Sequence, residues 1–187
     1  MNNPFFLPII KNPFFWAFIS MLGMAMATSI FSGHKLKNNK VFISFALLFV
    51  SMGRIILVLP FCEQPRFEIN NLHWIIGGLI IALSSLIIIV PIFVVRWWAP
   101  PVKGMKLITS GIYRYIRHPI YFFEVMWFLG LAIMFRSLYA VYLAPVFWFI
   151  FFIHALAEEA ELENVLGNEY IEYKRKVPGR IFPFLPL

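Results

Sequence analysis

Two short polar blocks interrupt an otherwise apolar chain, and their residue types could do chemistry. The first runs from Thr109 to Tyr121 and sets Tyr113, Arg114, Tyr115, Arg117, His118 and Tyr121 between two apolar segments. His118-Pro119 lies where loop becomes helix. Proline suits the first helical position because its missing N–H costs nothing there. A helix is therefore expected to start at Pro119, with free N–H groups at an end that binds anions. The second block, Glu158-Glu159-Ala160-Glu161-Leu162-Glu163, begins as the last apolar segment ends, and Leu166-Gly167-Asn168-Glu169-Tyr170 follows. His154 and Glu158 are four residues apart and share one helical face. Glu159 points about 100° away around the helix, which places it to hold an arginine of the first block. The competing readings are interfacial anchoring for Arg117 and His118, and a solvated helix end for the glutamates.

The elements that must position these blocks are membrane helices. The 187 residues are 61% hydrophobic, 19% aromatic and only 13% charged, a balance unlike that of a soluble domain. Apolar runs recur at roughly the 20 residues needed to cross a bilayer. The expected fold is all-α: one integral membrane bundle, residues 1–187, with a helical C-terminal tail. Five transmembrane helices are expected at about 14–31, 41–61, 73–95, 119–135 and 138–156. Gly77-Gly78 and Ser84-Ser85 offer the third helix small surfaces for helix contact. All nine acidic residues are glutamates, so any carboxylate chemistry uses them. The lone Cys62 excludes an internal disulfide or a multi-cysteine metal site, and no metal-ligand spacing appears. Glycine-rich nucleotide fingerprints are absent too.

The net charge of +7 invites a nucleic-acid reading, but the bases flank apolar segments instead of forming a soluble patch. Topology accounts for them better. Lys35, Lys37 and Lys40 fall in the first loop, and Arg96, Lys103, Lys106, Arg114 and Arg117 in the third. Lys174, Arg175, Lys176 and Arg180 fall in the tail. Positive-inside then places those segments in the cytoplasm and the N-terminus outside. Both polar blocks land on one face. Glu124 and Arg54 stand inside expected spans, where a charge tends to face a cavity or a partner. They could pair, or Arg54 could snorkel outward.

Over about residues 96–187 the two blocks together resemble the isoprenylcysteine carboxyl methyltransferase family and its relatives, the integral-membrane phospholipid methyltransferases. The shared pattern is S/T-G-x-Y-x-x-x-R-H-P-x-Y, a transmembrane hairpin, E-E-x-x-L, F-G-x-E-Y-x-x-Y and a proline-rich tail, with Leu166 here in place of phenylalanine. The resemblance implies S-adenosylmethionine as cofactor, held by residues of about 96–121 and 154–183. By position it implicates Met105, Lys106, Leu107, Ile108 and Tyr113, then Arg117, His118, Pro119, Ile120 and Tyr121, with Glu158 and Glu159 from the second block. Tyr170, Tyr173 and Arg180 match a tail that folds back over the cofactor. Relatives often carry histidine where Met105 stands, glutamine where Trp98 stands and glycine where Phe123 stands.

The implied reaction is methyl transfer to a lipophilic acceptor that enters from the bilayer, foremost the carboxylate of an isoprenylcysteine-like substrate. A carboxylate acceptor is already ionised, so placement and exclusion of water would carry catalysis. His154, Arg96 or Arg180 could orient it. An amine acceptor, as in phospholipid N-methylation, would first need a base, with Glu124 or His154 the candidates. The competing classes are an NADPH-dependent membrane sterol or steroid reductase, which has a similar R-H-P-x-Y region, and a non-catalytic lipid-binding protein. Membrane lipids are the implied surroundings, and nucleic acid is not an expected partner. The acceptor and the oligomeric state stay open at this level.

Overall fold

The computed structural model describes residues 6–27, 39–95 and 106–183, and these are helical almost throughout. Helices α1 (Phe6–Lys11) and α2 (Pro13–Ala27) are followed by α3 (Lys40–Val58) and α4 (Leu72–Val95). A single 3-10 turn, Gly111–Arg114, precedes α5 (Pro119–Met134), α6 (Leu138–Leu166) and α7 (Asn168–Lys176). Among the described residues the only β-type pairing is an isolated antiparallel bridge between Arg66 and Ser137. Arg96, Trp98, Lys103 and Met105 lie outside the described residues, as do His34, Lys35 and Lys37.

Among the described residues, three helices are long and apolar enough to cross a membrane: α3 over Val41–Val58, α4 over Leu72–Ile89, and α6. Helices α2 and α5 are apolar but shorter, at 15 and 16 residues. Their rise is about 22–24 Å. The N-terminal lead-in is itself helical. Pro8 sits in the first turn of α1, where proline is tolerated, and the break falls at Asn12, whose Oδ1 accepts from the Phe14 N–H at 2.9 Å. Helix α6 runs beyond the expected membrane span of 138–156 and through the second polar block to Leu166. Its 29 residues span about 44 Å, more than the roughly 30 Å of a hydrocarbon core. The Ala-, Glu- and Leu-rich stretch favours helix and carries the second polar block beyond the apolar portion.

The helices pack as two close pairs, α2 against α3 and α4 against α5, with α6 alongside α5. Glycines permit the close approach. A Cβ on Gly23 would meet Ala46 O at 2.6 Å, and one on Gly77 would meet Gly130 O at 2.7 Å. Gly77 thus makes the small-residue contact that its sequence suggests, while Gly78 meets only the tip of Met134. The core lies where α2, α3, α5 and α6 converge, around Leu57, Val125, Phe128, Phe147 and the buried alanines Ala132, Ala140 and Ala144. At the end remote from the polar blocks, Arg66 donates to Val58 O at 2.6 Å and Phe135 O at 2.8 Å. These bonds satisfy carbonyls at the C-terminal ends of α3 and α5. Gln64 Oε1 accepts from Ser137 Oγ at 2.7 Å and ties the α5–α6 turn to the same loop.

A cleft at the end of the helix bundle

Helix α5 begins at Pro119, as proline at the first helical position requires, and His118 is its N-cap residue. The overhanging end of α6 reaches the same level, so His118 and Glu158 meet although forty residues separate them. Between them opens a cleft enclosing ≈ 730 Å³, its mouth included. Lys106, Leu107 and Ile108 form one wall and the turn residue Tyr113 stands beside them. Arg117, His118, Pro119, Ile120 and Tyr121 form the second wall, and Glu158 the third. Ten of the positions carried over from the family pattern therefore gather around one space. Glu159 does not line it, and Met105 and Arg96 fall outside the described residues.

Adjacent glutamates face different surroundings because successive helical positions diverge by about 100°. The Glu158 side chain is 35% exposed and accepts from Tyr121 Oη at 2.7 Å, with His118 Nδ1 at 3.3 Å. Glu159 is 3% exposed. Its Oε1 accepts from Arg117 Nε at 2.8 Å and Arg180 Nε at 3.1 Å, and His118 Nε2 lies 3.3 Å away. Lys174 Nζ is 3.4 Å from Oε2. The expectation that Glu159 holds an arginine of the first block describes this geometry.

The His118 ring thus bridges two carboxylates. Burial alone would lower its pKa, but hydrogen bonds to Glu158 and Glu159, together with their charges, outweigh burial and leave it raised. Burial would raise Glu159, yet the bonds from His118, Arg180 and Arg117 hold its carboxyl well below the usual carboxylate range. Burial and the Glu158 charge push Tyr113 up to about 12. Burial likewise raises Tyr170 and Tyr173. These phenols stay neutral hydrogen-bond donors near neutral pH.

The tail closes the remaining side. Gly167, at φ +59°, turns the chain sharply from α6 into α7 and lets Tyr170 and Tyr173 fold over the cleft as lining residues. Tyr173 Oη donates to Tyr113 O at 2.8 Å. Beyond α7 the chain pairs with the first block: Arg117 N donates to Gly179 O at 2.9 Å and His118 N to Arg180 O at 2.8 Å. Leu162 also lines the cleft and escaped the sequence reading. Its position four residues after Glu158 on one helical face was the available signal.

The acceptor-side candidates lie apart from the cleft lining. The His154 ring stands edge-on to Tyr121, centroids 6.4 Å apart, behind the cleft wall. Arg180 joins the Glu159 cluster and places its guanidinium 5.2 Å from the Phe152 ring centroid. Glu124 is paired to Arg54 Nη2 at 2.8 Å, with the arginine side chain only 5% exposed. Arg54 therefore turns inward to Glu124 and does not snorkel. Among the described residues, no group of three or more histidine, cysteine or acidic side chains could hold a metal ion.

The cleft chemistry fits a cationic nucleoside-type group: a half-exposed carboxylate beside neutral phenols, faced by the apolar Leu107, Ile108, Ile120 and Leu162. A family model described as phospholipid methyltransferase matches residues 72–169. The chain is 37% identical over 85 residues to protein-S-isoprenylcysteine O-methyltransferase of Schizosaccharomyces pombe, covering 45% of this chain and 36% of that protein. It is 35% identical over 81 residues to protein-S-isoprenylcysteine O-methyltransferase B of Arabidopsis thaliana, covering 43% of this chain and 41% of the relative. The human protein-S-isoprenylcysteine O-methyltransferase is 36% identical over 80 residues, 42% of this chain and 28% of that protein. The matched stretch spans less than half the length of each of these relatives.

Proposed function

This chain belongs to the phospholipid methyltransferase family, and from that membership we propose that it transfers a methyl group from S-adenosylmethionine to a lipophilic acceptor. The acceptor of choice is the carboxylate of an isoprenylcysteine-like molecule, reached from the bilayer. One observation carries the reading: a carboxylate, Glu158, is presented to an aromatic and apolar cleft at the end of membrane-length helices. S-adenosylmethionine supplies, when bound, an electrophilic methyl group on a sulfonium centre. Glu158 would take its ribose hydroxyls or its ammonium group, and Tyr113 and His118 would fix it from the side. Leu107, Ile108, Ile120 and Leu162 would pack the base and keep water out, which strengthens every charge interaction inside.

A carboxylate acceptor needs no base, only placement in line with the methyl group. An amine acceptor would need one. Glu124 is already committed to Arg54 at 2.8 Å, which favours the carboxylate. We place the protein in the membrane with five crossings, the N-terminus outside and the cleft on the cytoplasmic side. The basic residues around the cleft and tail support that orientation. His154 and Arg180, together with Arg96, are proposed to orient the acceptor.

Titration of the purified protein with S-adenosylhomocysteine and with NADPH tests the reading. Saturable binding of S-adenosylhomocysteine is expected; binding of NADPH alone would replace methyl transfer by a reductase. Glu158→Ala should weaken S-adenosylhomocysteine by about tenfold or more, the worth of a charged hydrogen bond, whereas Glu163→Ala should change it less than about twofold. Equal losses would remove Glu158 from the cofactor.

A further inference from the structure

Glu159 was grouped with Glu158 as a cofactor ligand by position alone, and its surroundings argue for a different task. Its carboxylate is 3% exposed and contributes nothing to the cleft wall. Four cationic or protonatable groups surround it, drawn from three separate stretches. Arg117 and His118 come from the loop before α5, Lys174 from α7, and Arg180 from the tail beyond it. The carboxylate itself belongs to α6. Arg117 also donates through Nη1 to Val177 O at 2.5 Å and Pro178 O at 3.0 Å, so one guanidinium grips both the carboxylate and the tail backbone.

We propose that Glu159 is a positioning residue: it is the latch that holds the tail across the cleft, and it does not bind the cofactor. Without its charge, Arg117 and Arg180 face each other in a buried space without the carboxylate they share, while His118 keeps Glu158 and Lys174 keeps Glu163 beside it. Mutual repulsion then opposes the docking that sets Tyr170 and Tyr173 over the cleft. The effect reaches the cofactor through those tyrosines. This inference rests on the proposed reading of the cleft as a cofactor site, and the experiment separates the two.

Full-length protein in nanodiscs is compared with Glu159→Gln by hydrogen exchange without any cofactor, and then by titration with S-adenosylhomocysteine. The amides of Arg117 and His118, bonded to Gly179 and Arg180, report latch closure. In the variant they should exchange about tenfold faster while the amides within α5 stay as in wild type, a local opening. S-adenosylhomocysteine should bind about tenfold more weakly through the same coupling. Adding Arg180→Gln to Glu159→Gln removes one of the two arginines left without their shared carboxylate and should recover part of the protection, which a purely steric role would not give. Lost affinity with unchanged exchange would put Glu159 on the cofactor and overturn the proposal; unchanged exchange with unchanged affinity would overturn it equally. If Glu159→Gln does not fold, Arg180→Gln decides: the same two amides must loosen, or the latch is wrong. A wild type that fails to bind S-adenosylhomocysteine would overturn the functional reading, and the cofactor-free exchange would still judge the latch.

Discussion

Two ion-paired carboxylates, one half-buried and one fully buried, anchor this molecule in opposite ways. Glu124, inside the bundle, has one strong partner, Arg54 Nη2 at 2.8 Å, in a pair that joins α3 to α5. Arg54 Nη1 is buried without a hydrogen-bond partner among the described residues. Glu159, at the end of α6, serves a loop, a helix and a tail at once. A lone pair fixes the distance between two helices that are already packed. A carboxylate shared by several cations ties together segments that also meet through apolar contacts, Leu162, Tyr170, Tyr173 and Val177 in one cluster and Phe182 on Phe122 and Trp148. The first is expected to be exchangeable for well-packed apolar side chains, and the second is not.

Three measurements would break or sharpen that contrast. The largest effect is expected from Glu124→Ala, which strands Arg54 in the bundle and should destabilise the protein by about 3 kcal/mol. Glu124→Leu combined with Arg54→Met should return most of that stability, because both charges leave together. The equivalent exchange at the other cluster, Glu159→Leu with Arg117→Met, should stay destabilised, because Arg180 keeps its charge and loses its carboxylate. Thermal unfolding in detergent reads all three variants, and full recovery at both clusters would erase the distinction.

A smaller effect concerns pH. The folded-state pKa of His118 is raised, so its contribution is complete below about 6.5 and fades as pH climbs through the raised value. Glu159 is depressed, so its contribution is complete above the ordinary carboxylate range and fades only as pH falls through a still lower value. Wild-type melting temperature should therefore decline as pH rises above about 6.5, and His118→Asn should flatten that decline. An unchanged alkaline limb in the variant would remove His118 from the account. The smallest effect is expected from Glu63→Gln, whose pair with Lys11 is solvent-exposed: stability should move by less than about 0.5 kcal/mol in the same melts.

The cleft is more legible in the sequence than the bundle that carries it. Helix starts and stops came through where a local rule applies. Pro119 opens α5, and the apolar runs near 41–61 and 73–95 became Lys40–Val58 and Leu72–Val95. The first expected span, 14–31, is described only as Pro13–Ala27, and residues 28–31 lie outside the described residues. The run of α6 into the glutamate block was legible from the shared face of His154 and Glu158, although hydropathy marks where a membrane stops and not where a helix does. The gathering of Tyr113, His118 and Glu158 was readable because those residues sit in two compact blocks, whereas Leu107 was implicated only by the family resemblance. Leu162 escaped that reading although it lies four residues after Glu158 on one helical face and closes the E-E-x-x-L pattern.

What the amino-acid order settles by itself is whatever neighbours in the chain decide: apolar stretches of membrane length, the helix that proline opens, the turn that Gly167 makes, and the residue types within each polar block. Tertiary structure alone decides which charge meets which. Arg117 and Glu159 are 42 positions apart, and Arg54 finds Glu124 on a different helix. Coulomb attraction and hydrogen bonding depend on separations in space. Those separations follow from how close Gly23, Gly53, Gly77 and Gly130 let the helices come and from where the tail returns. The two neighbouring glutamates show the division. The sequence makes them alike, and only the packed helix end turns Glu158 toward the cleft and buries Glu159 beneath it.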